Sequence, residues 1–208
     1  MSGVIVRSSP SEAAAQPLLE ALVAEYDSRY GTAGRPGGAW SEILRYPAEA
    51  YHPPFGDFLL ILQDGETVAG GAFMSHDDET VELKRIWTRA DLRRRGLAQR
   101  IVAALEESAG RLGYTRAYLT TGFRQPEATA LYRALGYRPL FDPDVDPALY
   151  RSLPFEKTIG ARAGQAAGSP LYAPAASFEE ATARVLALKE AQERKVLARL
   201  AGHRATAA

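Results

Sequence analysis

The sequence predicts an α/β domain followed by a helical tail, on three observations. Two apolar runs, Phe58 to Gln63 and Thr67 to Met74, flank Asp64-Gly65, a strong hairpin signal. Val81 to Thr88 reads as a further strand, and a basic, glycine-ended loop, Asp91 to Gly96, leads from it into a long amphipathic helix. After Gly160 the composition turns rich in Ala, Gly and Pro, and a second helical pattern follows. The 208 residues suit one domain of ordinary size plus an appendage.

The other elements follow in order. Val4 to Val6 is a short strand. Leu18, Leu19, Leu22, Val23 and Tyr26 recur at helical spacing. Gly31 to Gly38 holds four glycines and a proline and is read as a mobile loop. Trp40 to Tyr51 is a short helix with Ile43 and Leu44 inward, stopped by His52-Pro53-Pro54-Phe55-Gly56. In the long helix Leu97, Ile101, Val102, Leu105, Ala109 and Leu112 line one face, and Gly113 ends it. Ala117 to Thr121 is a strand. Pro126 opens the next helix and Gly136 closes it. Tyr137 to Phe141 and Ser152 to Ile159 are the last strands.

Composition narrows the function. Formal net charge is zero, so no global field draws the chain to nucleic acid or an anionic membrane. No apolar run approaches a membrane span, and the first residues lack a signal-peptide core, so a cytoplasmic protein is expected. There is no cysteine, which removes disulfides, thiolate metal sites and a cysteine nucleophile. Three widely spaced histidines, His52, His76 and His203, make no metal site, so none is expected. His52 and His76 are read as loop residues rather than bases.

Chemistry concentrates at the strand–loop–helix. A helix N-terminus exposes N–H groups with no intrahelical partner and the positive end of the dipole. Gly96 would let an anion approach the backbone, and a diphosphate is the natural ligand there. Arg93, Arg94 and Arg95 add charge. Two other readings stand beside this one: a solvated basic loop, and a nucleic-acid patch. The neutral net charge and the lack of interleaved aromatics count against the patch. The loop has neither the Gly-Lys-Ser/Thr of a Walker loop nor a GxGxxG.

Arg93-x-x-Gly96-x-Ala98 resembles the pyrophosphate motif of the GCN5-related N-acetyltransferase (GNAT) superfamily, (Q/R)-x-x-G-x-(G/A), with Ala98 an allowed variant of the glycine. Glu82 to Thr88 resembles that family's fourth strand, and Gln125 to Tyr137 its second signature. The likeness covers about residues 3–159, and the chain resembles small bacterial members of unassigned substrate. It implies a mixed, mostly antiparallel central sheet flanked by helices, with acetyl-CoA as co-substrate and no metal. Residues 1–159 would be the acetyltransferase domain, 160–176 a linker and 177–208 the C-terminal helix. Backbone groups of Arg94, Arg95, Gly96, Leu97 and Ala98 would hold the pyrophosphate, with Arg93 beside them. Ile86, Trp87 and Thr88 would face the pantetheine arm, paired through Ile86 and Thr88. Ala128 and Gln125 would reach the cofactor from the second signature, where Gln125 stands in place of the usual Asn.

The family's direct attack of an amine on a thioester needs a base and an acid, because an alkylammonium has a pKa of roughly 10. Glu82 is the candidate base, with a structural or substrate-binding carboxylate as its alternative. Tyr132 is the candidate acid for the departing thiolate, with a packed helix tyrosine as its alternative. Tyr26, Tyr30, Trp40, Phe55, Tyr118 and Thr120 are the candidate acceptor-binding residues, against ordinary surface packing. The expected acceptor is a small-molecule primary amine. A protein amine, or a non-catalytic acyl-CoA-binding module, is the alternative. The Phe178 to Leu200 helix, with Ala181, Val185, Leu188, Val196 and Leu200 near one stripe, is expected to dock on its own domain or across a homodimer.

Overall fold

The computed structural model describes residues 3–32 and 37–207, so positions 33–36 of the predicted Gly31 to Gly38 loop lie outside the described residues. Its contacts divide the chain into two compact units, one holding the residues up to Ser75 with Leu83–Leu112, the other His76–Glu82 with the residues from Gly113 on.

The first unit contains strands β1 (Val4–Arg7), β2 (Gly56–Gln63) and β3 (Glu66–Ser75) and most of β4 (Thr80–Thr88), hydrogen-bonded in that order. Helices α1 (Gln16–Tyr30), the single turn α2 (Trp40–Ile43) and α3 (Leu97–Arg111) complete it. The β1–β2 and β2–β3 pairs are antiparallel. Asp64 and Gly65 have φ of 53° and 84°, the left-handed pair a two-residue hairpin turn requires.

Neighbouring strand residues point to opposite faces, and two adjacent glycines of β3 let a helix settle on each. A Cβ on Gly70 would stand 2.5 Å from Leu18 Cδ1 of α1. One on Gly71 would stand 2.5 Å from Ile86 Cδ1 and 3.1 Å from Leu105 Cδ1 of α3. Covered on both sides, Gly56 to Ile61 of β2 are buried without alternation. Beneath them lies a buried carboxylate. Asp57 accepts both arms of the Arg7 fork at 2.8 Å, Ser108 Oγ at 2.6 Å and the Phe58 N–H at 3.0 Å.

The second unit contains β5 (Arg116–Gly122), α4 (Pro126–Ala134), β6 (Arg138–Pro139), β7 (Ser152–Thr158) and α5 (Phe178–Ala207). Its strands run β5-β7-β6, both pairs antiparallel. Phe155 of β7 is fully buried, with the rings of Tyr132 and Phe141 centred 6.0 and 5.4 Å away. Glu156, 1% exposed, accepts from Arg116 at 2.9 Å, from Arg138 at 2.6 Å and from Ser169 through both Oγ (2.6 Å) and N–H (3.1 Å).

The Ala/Gly/Pro-rich segment is tied down at several points. Besides Ser169, Tyr172 donates its N–H to Leu140 O (2.7 Å) and Ala175 its N–H to Leu149 O (3.0 Å). The tail helix is docked in cis: Phe178 meets Phe123 at 5.8 Å, the Arg151 guanidinium lies 4.3 Å from the Phe178 ring centre, and Arg199 pairs with Asp78 at 2.7 Å. No helix among the described residues is long and apolar enough to cross a membrane.

Four expectations are corrected. The predicted Trp40 to Tyr51 helix is broken into α2 and a 3-10 turn, Ala48–Tyr51, because Pro47 takes an extended ψ of 154°. Leu44 consequently faces out, 66% exposed, while Ile43 is buried. The predicted strand Tyr137 to Phe141 pairs over only Arg138–Pro139. In α5 the buried stripe is Ala181, Gln192, Val196 and Leu200, and Leu188 is 56% exposed.

Burial alone would raise the Glu156 pKa, but the donors from Ser169, Arg138 and Arg116 outweigh it and hold the carboxyl below its ordinary value. A depressed carboxylate contributes stability above its unfolded pKa and loses it as pH falls through the folded value. Wild type is therefore expected to lose stability below about pH 4, the unfolded glutamate range. Glu156→Gln should cost about 2–3 kcal/mol at pH 7, since both arginines are partly exposed. It should also flatten the acid limb of a chemical-denaturation series.

Candidate functional site

The predicted site residues divide between the two units. In the first, β4 delivers Ile86, Trp87 and Thr88 to the turn at Ala90–Leu92, and the arginine loop follows. Arg89 anchors its entrance, donating its N–H to Val68 O (2.9 Å) and pairing with Asp91 at 2.8 Å and Glu66 at 2.7 Å. Arg94 and Gly96 both stand in the left-handed region, at φ 61° and 78°. Gly96 is the N-cap of α3 and supplies no side-chain cap. The first intrahelical bond runs from Arg100 N–H to Gly96 O (3.0 Å), so the N–H groups of Leu97, Ala98 and Gln99 precede it. No acidic residue occupies the first turn. Arg93 turns to α1 and pairs with Glu25 at 3.2 Å, whereas Arg94 and Arg95 are exposed. The loop thus has the fixed donors and positive field that an anionic group needs.

On the α1 and α2 side of the same unit, Tyr26 is pushed up to about 12, first by burial, then by Glu42 and against Lys84, with Glu25 and Tyr30 contributing. The Lys84 ammonium lies 5.4 Å from the Tyr46 ring centre. Tyr26 and Tyr30 therefore share one neighbourhood. Trp40 and Phe55 are half-buried in α2 and in the turn after the cis Pro53-Pro54 bond. Sequence reasoning missed Lys84 and Arg85. Arg85 has φ 59° in mid-strand, is 8% exposed, and stacks 4.2 Å from the Tyr51 ring centre. No glycine or asparagine marks that conformation in advance.

In the second unit Glu82 is buried at the start of β4 and lies in the electrostatic surroundings of His76 and Tyr118. The His76 ring stands 5.0 Å from that of Tyr118. Burial lowers the His76 pKa despite Glu82, so the imidazole is neutral near pH 7. Burial first, and then Tyr172 and Glu82, hold the Tyr118 phenol far above its ordinary value, so it remains a donor, hydrogen-bonded with Tyr172. His76 is a loop residue as expected, but a packed one, and Gln192 of α5 reaches its carbonyl at 3.5 Å. Nothing in the sequence signals the meeting of Tyr118 with Tyr172, fifty-four positions on.

Tyr132 of α4 is buried, its ring 5.7 Å from that of Tyr137. Thr120 is exposed on β5, and Ala128 lies in the first turns of α4. Gln125 is committed locally: its Oε1 accepts from Gly122 N–H (2.9 Å) and Thr121 Oγ1 (3.1 Å). That leaves its amide NH2 for a ligand. A cavity of about 350 Å³ in this unit is lined by Arg116, Leu140, Ser169, Pro170, Leu171 and Tyr172, none of them predicted site residues.

The model of the acetyltransferase (GNAT) family matches residues 19–137. The uncharacterized N-acetyltransferase YjgM of Escherichia coli (strain K12) is 26% identical over 125 residues, 58% of this chain and 75% of that protein. Among solved structures, a proposed acyl-CoA N-acyltransferase of Klebsiella pneumoniae subsp. pneumoniae MGH 78578 matches with a TM-score of 0.57 and 26% identity, over 76% of this chain and 97% of its own. The PaiA N-acetyltransferase of Thermoplasma acidophilum, in complex with coenzyme A, matches in fold with a TM-score of 0.55 and 16% identity, over 76% and 99%. The fold that the two signatures implied is the fold of these proteins.

Gly96 has open space where a Cβ would stand, so its requirement is conformational. Gly96→Ala should cost about 1–2 kcal/mol in a denaturant titration through its left-handed φ alone.

Proposed function

The chain belongs to the acetyltransferase (GNAT) family, and we propose that it is a cytoplasmic enzyme moving an acetyl group from acetyl-CoA directly to the primary amine of a small molecule. The observation that carries this reading is the uncapped start of α3, where left-handed Gly96 presents backbone N–H groups beside Arg94 and Arg95. In the proposal those N–H groups, from Arg94 to Ala98, hold the pyrophosphate, and main-chain groups of Ile86 and Thr88 pair with the pantetheine arm. The coenzyme A bound by the Thermoplasma acidophilum relative supports the choice of donor.

Glu82, directly or through water, takes a proton from the ammonium. The freed lone pair attacks the thioester carbonyl, the C–N bond forms, and the C–S bond breaks as the tetrahedral intermediate collapses. Tyr132 gives its proton to the departing thiolate, and the nitrogen loses its second proton as the amide forms, which restores the Tyr132 phenol through water. The buried position of Glu82 in the surroundings of His76 and Tyr118 supports the base assignment. The half-buried tyrosines of α1 suit a compact acceptor better than an extended chain.

Thiol release from acetyl-CoA, followed with a thiol-reactive dye against a panel of amines, tests the reaction, and a chain without cysteine adds no background. Release with one class of amine is expected. No release from protein that still binds coenzyme A would favour a non-catalytic binding module or a protein amine instead. Tyr132→Phe should lower turnover about a hundredfold with coenzyme A affinity nearly intact, and Glu82→Gln should do the same. Wild-type turnover in either variant would remove that residue from the mechanism.

A further inference from the structure

Arg85 is a buried cation with half of its binding edge unused. One Nη donates to the Ile43 carbonyl, and the face of the guanidinium lies on the Tyr51 ring, 4.2 Å from its centre. The other, Nη1, is buried with no hydrogen-bond partner. Among the described residues Arg85 makes no ion pair. Glu42, on the neighbouring turn, is bonded with Arg45 at 3.3 Å. The adjacent Lys84 is also a cation, set against Tyr46 and in the field of Tyr26. The α2 side of β4 therefore carries Lys84, Arg85 and Arg45, with Glu42 bonded among them.

A guanidinium removed from water and left unpaired is costly, and its planar fork matches a carboxylate through two parallel N–H···O bonds. The neutral Ile43 carbonyl fills only one prong. The backbone at Arg85 is itself in the left-handed region, which L-residues rarely adopt, with its guanidinium turned toward Tyr51 and Ile43. We infer that the acceptor amine also carries a carboxylate, and that Arg85 receives it, both Nη atoms donating as the acid displaces the Ile43 carbonyl. The acceptor class is then amino acids and related amino carboxylates rather than polyamines or amino sugars. A phosphate is disfavoured because one edge and one stacked face leave too few donors for three oxygens.

This inference rests on the acetyl-transfer reading, and the experiment separates the two. Amino acids, their carboxamides and diamines of matched length are compared by thiol release with wild type, Arg85→Met and Arg85→Lys. In parallel, calorimetry measures the binding of the same compounds to protein saturated with coenzyme A. For wild type, kcat/KM for the acids should exceed that for the amides by about ten- to a hundredfold. Arg85→Met should erase that margin through KM, and Arg85→Lys, which keeps charge but loses the fork, should retain part of it. Equal use of acids and amides by wild type would overturn the inference and leave acetyl transfer standing, whether or not the variants fold. A folded Arg85→Met with a lower melting temperature and an undiminished preference would also overturn it. If no compound releases thiol, transfer to small amines fails, and the calorimetry decides: binding of the acids alone supports Arg85 as a carboxylate site, and binding of none sinks it.

Discussion

The Asp57 carboxylate holds the first unit in register. Its two oxygens take the Arg7 fork from β1, the Ser108 hydroxyl from α3 and the Phe58 N–H from its own strand. A charge 1% exposed is tolerable only while every lone pair is answered, so these partners act as a set. Ser108 lies in the last turn of α3, three turns from Gly96. The contact thus sets the far end of the helix whose near end bears the free N–H groups. Gly71 sets the middle, where α3 leans on a strand surface with no Cβ. With its end and middle located, the start of α3 has a defined position relative to β3, and an anion site made of backbone requires no less.

Much of this was legible because it is local. Asp64-Gly65 specified its turn through φ alone, Gly113 and Gly136 closed their helices in the left-handed region, and Pro126 opened α4 at its first residue. The loop from Arg93 to Ala98 could be read as an anion site because its donors are consecutive residues. The break after Ile43 is legible too, because Pro47 disfavours helical backbone at Tyr46 before it.

What resisted reading depends on contacts distant in sequence or on side-chain choices with competing partners. Gln125 is expected to reach the cofactor, and its carbonyl oxygen also caps the end of β5, which leaves only its NH2 group for that role. Arg93 carries the motif's first charge, yet it answers Glu25 of α1. Arg85 is an L-residue in a conformation that glycine usually supplies, enforced by Tyr51 and Ile43 from more than thirty positions away. The roles of Glu82 and Tyr132 belong to the same class: the fold buries both, and chemistry must assign them.

The donors around Glu156 give the tail a thermodynamic meaning that its composition conceals. Two of the carboxylate's partners are strand arginines, and two come from Ser169, in a segment of alanines, glycines and prolines. Such a segment would ordinarily open independently of the sheet it follows. Here its departure would leave a buried carboxylate short of two donors, so the opening of the segment is coupled to β7 through Glu156. The least structured-looking stretch of the sequence thereby completes the solvation of a buried charge in the sheet.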